Sequence, residues 1–260
     1  MSEEVFAGLE PKNVWKHFSK ILQIPRESKN ESKAAEYVED FAKSKSCSVK
    51  RDELGNVVVK VPASKGRENS PIVVVQGHLD MVCEKNKSKE HDFSKDPITP
   101  LRDGDWITAD DTTLGADNGI AIAAALALIE DEEAEHGPLE LFFTVDEESG
   151  MSGVKEMDPS LLEGRRLLNL DSEESGVLYI GCAGGVDTKI SFQTKSEAAP
   201  KSFSSASLNI SGLKGGHSGC DIHLGRANAI KLLSRALYTL REKLPKGALM
   251  LSSLSGGNKR

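Results

Sequence analysis

Three patterns are scarce in this 260-residue chain, and each scarcity argues against a class of protein. The four cysteines (Cys47, Cys83, Cys182 and Cys220) are far apart and include no CxxC pair, so a disulfide scaffold is not expected and we interpret them as structural thiols. Lys and Arg (33) are outnumbered by Asp and Glu (40). This balance leaves no general basic surface for nucleic acid or anionic lipid.

Long apolar runs are also missing. The longest, IAIAAALALI at residues 120–129, is far shorter than the roughly 20 residues needed to cross a bilayer, and it indicates a buried helix. The first residues, MSEEVFAGLE, are acidic and lack the basic and apolar regions of a secretory signal. We therefore expect a cytoplasmic protein that contacts no membrane.

Apolar periodicity predicts an α/β domain over the first part of the chain. A long polar segment at 85–112, which contains His91 and Trp106, is expected to form part of a substrate rim. The predicted elements are a helix between Pro11 and Pro25, a helix at 32–45, strands at 56–61 and 72–76, a helix at 118–131, a strand at 139–145, a short helix near 158–163 and a strand at 166–170.

A second module is predicted from about Gly184 onwards. Two runs alternate like strands, VDTKISFQT and SFSSASLNISGLKGG, and a helix is expected at 226–243. The last strand candidate, ALMLSSL, leads directly into SGGNKR, so we expect this module to be incomplete.

Polar side chains end several of the apolar runs. His78 and Asp80 lie two residues apart at the end of VVVQGHLD, so both can face the same way, one binding a metal while the other holds it in place. Asp117 precedes the strongest predicted helix, where it either caps the helix or bridges a pair of metals.

Three more acids follow strands. Glu147 and Glu148 are adjacent, so one can ligate a metal while the other acts as general base, unless both are solvated turn residues. Asp171 directly ends the run LLNLD. Taken together, these imidazole and carboxylate donors indicate a dinuclear metal site.

The predicted second module contains GLKGGHSGCDIH. His217, flanked by glycines, could donate a hydrogen bond to an oxyanion or to a substrate carboxylate, or it could be an ordinary turn residue. A Ser-His nucleophile pair is disfavoured, because no GxSxG motif is present.

These motifs together resemble a known family. HLDM, TLGADNG, the EESG after LFFTVD, NLDSEE, YIGCAGG and GLKGGHSG are similar to those of the aminoacyl-histidine dipeptidases, the cytosolic non-specific branch of the dinuclear zinc aminoacylase and carboxypeptidase superfamily. The resemblance implies a zinc-peptidase-like α/β catalytic domain with a mixed, largely parallel sheet at residues 1–184. It also implies the start of a smaller α+β lid or dimerisation domain at 185–260.

The resemblance further implies a role for each candidate. His78, Asp117 and Asp171 would bind one zinc ion, and Asp117 would bridge to a second held by Glu148, with cobalt or manganese as possible substitutes. Asp80 would orient His78, Glu147 would be the base that activates water, and His217 would stabilise the substrate. The peptide bond from Asp117 to Asn118 is expected to be cis, and the parent protein is expected to be a homodimer.

One departure from the family is visible. The family's last zinc-binding histidine comes from a late HSPDE-like segment, which this sequence does not contain. We therefore expect an N-terminal portion of a dipeptidase whose second metal site lacks one ligand, so that turnover by this chain is in question.

The function predicted from the sequence is metal-dependent hydrolysis of Xaa-His and other unsubstituted dipeptides. Two alternatives stay open: a related aminoacylase or deacetylase, and a catalytically silent remnant that binds metal or peptide. A scaffold protein without metal is the weakest hypothesis, because under it every candidate acid would have to be an ordinary turn residue.

Overall fold

The computed structural model describes residues 2–182, 184, 186, 188–216 and 221–256. The chain divides into two units, Met1–Val177 and Leu178–Arg260. Among the described residues, no helix is long and apolar enough to span a bilayer. The predicted functional division at residue 184 stays a prediction.

The first unit contains five α-helices, one short 3-10 helix (Pro159–Leu161) and seven strands among its described residues. The helices are α1 (Ser2–Val5), α2 (Lys12–Ile21), α3 (Ser32–Ser44), α4 (Ala116–Ile129) and α5 (Ser152–Lys155). The strands are β1 (Ser48–Arg51), β2 (Val57–Val61), β3 (Val73–His78), β4 (Pro100–Asp103), β5 (Trp106–Ala109), β6 (Leu139–Thr144) and β7 (Arg166–Asn169).

Five of these strands form a mixed sheet in the order β1-β2-β6-β3-β7. The β3 strand runs parallel to both β6 and β7, whereas the β1-β2 and β2-β6 pairs are antiparallel. The predicted α/β architecture with a mixed sheet is confirmed. Because β3, β6 and β7 run in the same direction, their carboxyl ends lie at one edge of the sheet, which is where open α/β sheets place their ligands.

Alternation along the strands divides the core between the two faces of the sheet. Val57 and Val59 of β2 pack with α2, α3 and α4 in the main core, while Val58 faces a smaller cluster with Phe142 and Leu161. Period-two alternation gives each strand this double role. The α4 helix, apolar on all sides, is the buried helix that the sequence indicated.

The polar segment between β3 and α4 contains a structure that the sequence did not locate. The β4 and β5 strands pair as an antiparallel hairpin, with Asp103 opposite Trp106. Trp106 is 73% exposed at its tip. The expected role of this segment in a substrate rim stays a prediction.

The second unit has little regular structure among its described residues: a 3-10 turn (Ile222–Leu224) and α6 (Ala229–Lys243). None of the three strands predicted there is formed in the described residues, so those predictions are wrong. A strand needs a neighbouring strand to pair its backbone groups, and Ile190 and Phe192 of the first predicted run remain 69% and 82% exposed. The predicted helix is confirmed, and Asn228 caps it by accepting a 2.9 Å hydrogen bond from the Lys231 amide.

The central strand β6 generates a stability prediction. Leu141 is fully buried in the main core, so Leu141→Ala removes apolar contacts and leaves a cavity. We expect a loss of about 2–5 kcal/mol in the free energy of unfolding, measured by urea denaturation. The matched control is Leu101→Ala in β4, where the side chain is 45% exposed. Equal losses in the two variants would contradict this account of the core.

Candidate metal centre

The predicted site residues of the first unit gather at the carboxyl edge of the sheet. His78 ends β3 and lies opposite Thr144 of β6, so Glu147 and Glu148 follow in the next turn. On the other side of β3, the β7 strand ends at Asn169, two residues before Asp171. Asp117 arrives separately, in the first turn of α4.

The His78 imidazole lies at the centre of these acids and is fully buried. Its Nε2 atom is 2.9 Å from Asp117 Oδ1 and 3.4 Å from Asp171 Oδ1. On the opposite side of the ring, Nδ1 is 3.2 Å from Asp80 Oδ1. One ring nitrogen therefore faces two candidate metal ligands, while the other faces a buried carboxylate.

Two groups of donors in the described part of the chain are close enough to hold a metal ion. They are His78, Asp117 and Glu148, and His78, Glu147 and Asp171, with the donor atoms of each group within 4.8 Å of one another. The Oε1 atom of Glu148 is buried without a hydrogen-bond partner. A buried carboxylate oxygen without a donor is costly, and a cation would satisfy it. The donor set therefore fits a divalent metal ion.

The pKa shifts at this site also favour a bound cation. Burial alone would lower the pKa of His78, but its contacts with Asp117, Asp171 and Asp80 outweigh burial and raise the pKa to about 12. Burial and the nearby Asp117 charge raise the pKa of Glu148 to about 7. Crowded acids favour any positive charge placed among them. Here a proton on His78 supplies it, and a metal ion would compete for the same donors.

Asp80 connects two turns of the site. Its Oδ1 accepts a 3.1 Å hydrogen bond from the Glu147 amide, and its Oδ2 accepts one of 3.1 Å from the Glu148 amide and one of 2.7 Å from the Ser28 hydroxyl. Burial would raise the pKa of Asp80, but the contacts with His78 and Ser28 lower it to about 2. The carboxylate is therefore ionised and fixes the Glu147–Glu148 backbone beside His78.

Asn118 plays a similar part on the other side, and the sequence did not indicate it. Its Oδ1 accepts a 3.1 Å hydrogen bond from the His78 amide, and its Nδ2 donates to Leu170 O at 2.9 Å and to Asp171 Oδ1 at 3.1 Å. A Cβ at Gly77 would lie 2.4 Å from Asn118 Oδ1, which explains the glycine in QGH. The Asp117–Asn118 peptide bond is cis, as the resemblance implied.

Hydrogen bonds of Asp146 stabilise the turn that contains the two glutamates. Asp146 has a φ of 56°, and its amide donates a 2.9 Å hydrogen bond to Glu31 Oε1. Its carboxylate accepts hydrogen bonds from the hydroxyls of Ser149 and Ser152. Asp146 ends the motif run LFFTVD, whereas Ser28 and Glu31 belong to no quoted motif, so only the folded chain identifies these two.

His217 and Cys220 lie outside the described residues. His223 belongs to the second unit. Cys83 directs its Sγ at Met81 O, 3.5 Å away, and is absent from both donor groups.

Comparison with known families gives two matches along the chain. Residues 74–222 match the sequence model of peptidase family M20/M25/M40, and residues 208–260 match that of a peptidase dimerisation domain. The first match covers more than half of the chain and includes all the clustered site residues. The chain belongs to peptidase family M20/M25/M40.

Three similar proteins are named as peptidases. The chain is 47% identical, over its whole length, to a cytosol non-specific dipeptidase of Escherichia coli strain K12, of which it covers 53%. It is 44% identical to an aminoacylhistidine dipeptidase of Vibrio alginolyticus (TM-score 0.69), a match that covers 94% of this chain and 50% of that one. A tripeptidase of Staphylococcus aureus is 25% identical (TM-score 0.53), with 62% and 43% covered. The chain thus spans about half the length of the relatives it matches.

The cluster around His78 generates a metal-binding prediction. Replacing the imidazole in His78→Ala removes the donor common to both groups. We expect zinc or cobalt affinity, measured by calorimetry, to fall at least about 100-fold, because losing even an outer partner costs roughly 10- to 100-fold. Added metal should raise the melting temperature of the wild type only.

The matched control is His136→Ala, because His136 precedes β6 at the opposite end of that strand. Its metal affinity should equal that of the wild type. Unchanged affinity in His78→Ala would refute the proposed centre.

Proposed function

We propose that this M20-family chain is the catalytic part of a metal-dependent dipeptidase that hydrolyses Xaa-His and other unsubstituted dipeptides. One observation carries the proposal: three parallel strand ends and the start of α4 bring one imidazole and four acids to a single point. The 47% identity to a non-specific dipeptidase supports the substrate class.

The metals would be two zinc ions, with cobalt or manganese as possible substitutes. His78, Asp117 and Asp171 would hold one, and Asp117 would bridge to the second at Glu148; the orphaned Glu148 oxygen and the short His78 contacts support this assignment. When bound, such ions polarise the scissile carbonyl and lower the pKa of water.

The proton transfers would fall to Glu147. It would take a proton from the attacking water and return it to the leaving amine, while Asp80 holds the Glu147 amide and orients His78. Glu148 groups with Asp117 and Glu147 groups with Asp171, so Glu148 can remain with the metal while Glu147 faces the reacting atoms. His217 would stabilise the substrate from the second unit.

The wider organisation is also part of the proposal. Residues 1–184 would be the catalytic domain, and residues 185–260 would begin the lid and dimerisation domain, supported by the dimerisation-domain match at 208–260. We propose a homodimer, which the dimerisation-domain match supports, and a place in the cytosol, which the name of the Escherichia coli relative supports.

The role of Glu147 leads to a kinetic prediction. Glu147→Gln removes the base and keeps the shape of the side chain, so we expect kcat for dipeptide hydrolysis to fall by roughly 10²- to 10⁴-fold with metal still bound. Glu148→Gln should instead weaken metal binding, and the exposed control Glu132→Gln should change neither. Zinc, cobalt or manganese is added in each assay, and bound metal is counted by elemental analysis.

Each result separates the alternatives. Turnover in the wild type that is lost in Glu147→Gln supports the dipeptidase. One tightly held metal without turnover would support the silent metal-binding alternative instead.

Substrate choice is a separate prediction. Where this chain turns over substrate, we expect it to cleave β-alanyl-histidine and other free dipeptides and to leave N-acetyl amino acids intact, measured by release of free amino acid. Preferential release of acetate would assign the chain to the aminoacylase or deacetylase alternative, with the same metals and base.

A further inference from the structure

Arg26 is a fully buried arginine beneath the candidate metal centre, and no motif pointed to it. Its Nη1 donates to the main-chain oxygens of Leu79 (3.0 Å) and Asp80 (2.6 Å), while its Nη2 donates to the main-chain oxygen of Gly115. Only 1% of its surface is exposed. One guanidinium therefore joins the turn after His78 to the turn before Asp117.

Two glycines make room for this group. A Cβ at Gly115 would lie 2.6 Å from Arg26 Nη2, and a Cβ at Gly119 would lie 2.8 Å from the same atom. Both distances are shorter than any ordinary contact, so each alanine would displace the guanidinium. Gly115 also has a left-handed φ of 74°, whereas at Gly119 the closest atom belongs to Arg26, so packing against the guanidinium favours glycine there.

The chemistry of the contact suits a metal site. In the part of the chain that the structure describes, the hydrogen-bond acceptors of Arg26 are main-chain carbonyls, so its bonds leave the carboxylate oxygens available to a cation. Burial lowers the pKa of Arg26 to about 10, against the opposing charge of Asp80, so the group stays positive at neutral pH. A planar fork can reach both turns at once, whereas a lysine ammonium is a single point of charge.

We propose that Arg26 is a positioning residue that sets the spacing between the His78–Asp80 turn and the Asp117 turn, and so the geometry of the metal site. This inference rests on the proposed function, because it assigns metal binding to those turns. Arg26 acts through its neighbours and does not touch the reacting atoms.

The test compares Arg26→Met, which loses the charge, with Arg26→Lys, which keeps it. For both we expect cobalt affinity at least about tenfold weaker, an altered visible spectrum of bound cobalt, and kcat reduced about 100-fold with a smaller change in KM. Arg67→Met is the control, since Arg67 lies on the surface paired with Glu135. Circular dichroism checks that each variant is folded.

Gly119→Ala gives a second route that keeps the arginine. We expect it to shift the cobalt spectrum in the wild-type background and to add little to Arg26→Met, because the displaced group is then absent. This variant carries the test if Arg26→Met does not fold.

The outcomes distinguish the two proposals. If Arg26→Met keeps the wild-type cobalt spectrum and affinity, the positioning role is overturned. If only Arg26→Lys keeps them, the role is also overturned, because a positive charge without the planar fork would then be sufficient. Shifted cobalt spectra without dipeptide hydrolysis by the wild type would keep this role and reject the dipeptidase. A wild type that binds no cobalt would reject both.

Discussion

The candidate site depends on the contacts of one buried carboxylate, that of Asp80. It faces the ring of His78 and accepts hydrogen bonds from the amides of Glu147 and Glu148, which lie 67 and 68 positions later in the chain. Parallel pairing of β3 with β6 brings those turns side by side, with His78 opposite Thr144. The strand register therefore brings the turns after β3 and β6 together, and the Asp80 carboxylate joins them through hydrogen bonds.

The same region concentrates negative charge around two buried groups, His78 and Asp80, with Asp117 48% exposed and Asp171 23% exposed beside them. Buried acids are costly unless a cation or hydrogen-bond donors compensate them. Asp80 has its donors, whereas Glu148 keeps one buried oxygen without a partner. Arg26 adds a buried positive charge but gives its hydrogen bonds to main-chain carbonyls. The fold thus stabilises its acids only in part, as a site that receives a metal requires.

The first unit was largely predictable, because most of its helices and strands bury apolar faces that period and length reveal; β7 is exposed, but its apolar run still marked it as a strand. The weaker elements were not: the β4-β5 hairpin is hidden in a polar segment, and its strands are mostly exposed. In the second unit, alternation in VDTKISFQT predicted a strand that is not formed in the described residues. Alternation describes which side of a strand is apolar, but pairing also needs a neighbouring strand.

By itself the sequence determined which residue types end the core strands, and so the metal-hydrolase class, because His78, Glu147 and Asp171 lie at the ends of apolar runs. Only the tertiary structure decided which donors meet, since Asp117 and Asp171 reach His78 from 39 and 93 residues away. It alone also revealed Asn118, Ser28 and Arg26 as supports. The reason is physical: hydrogen bonds between distant residues depend on how strands and helices pack, and no local pattern encodes that geometry.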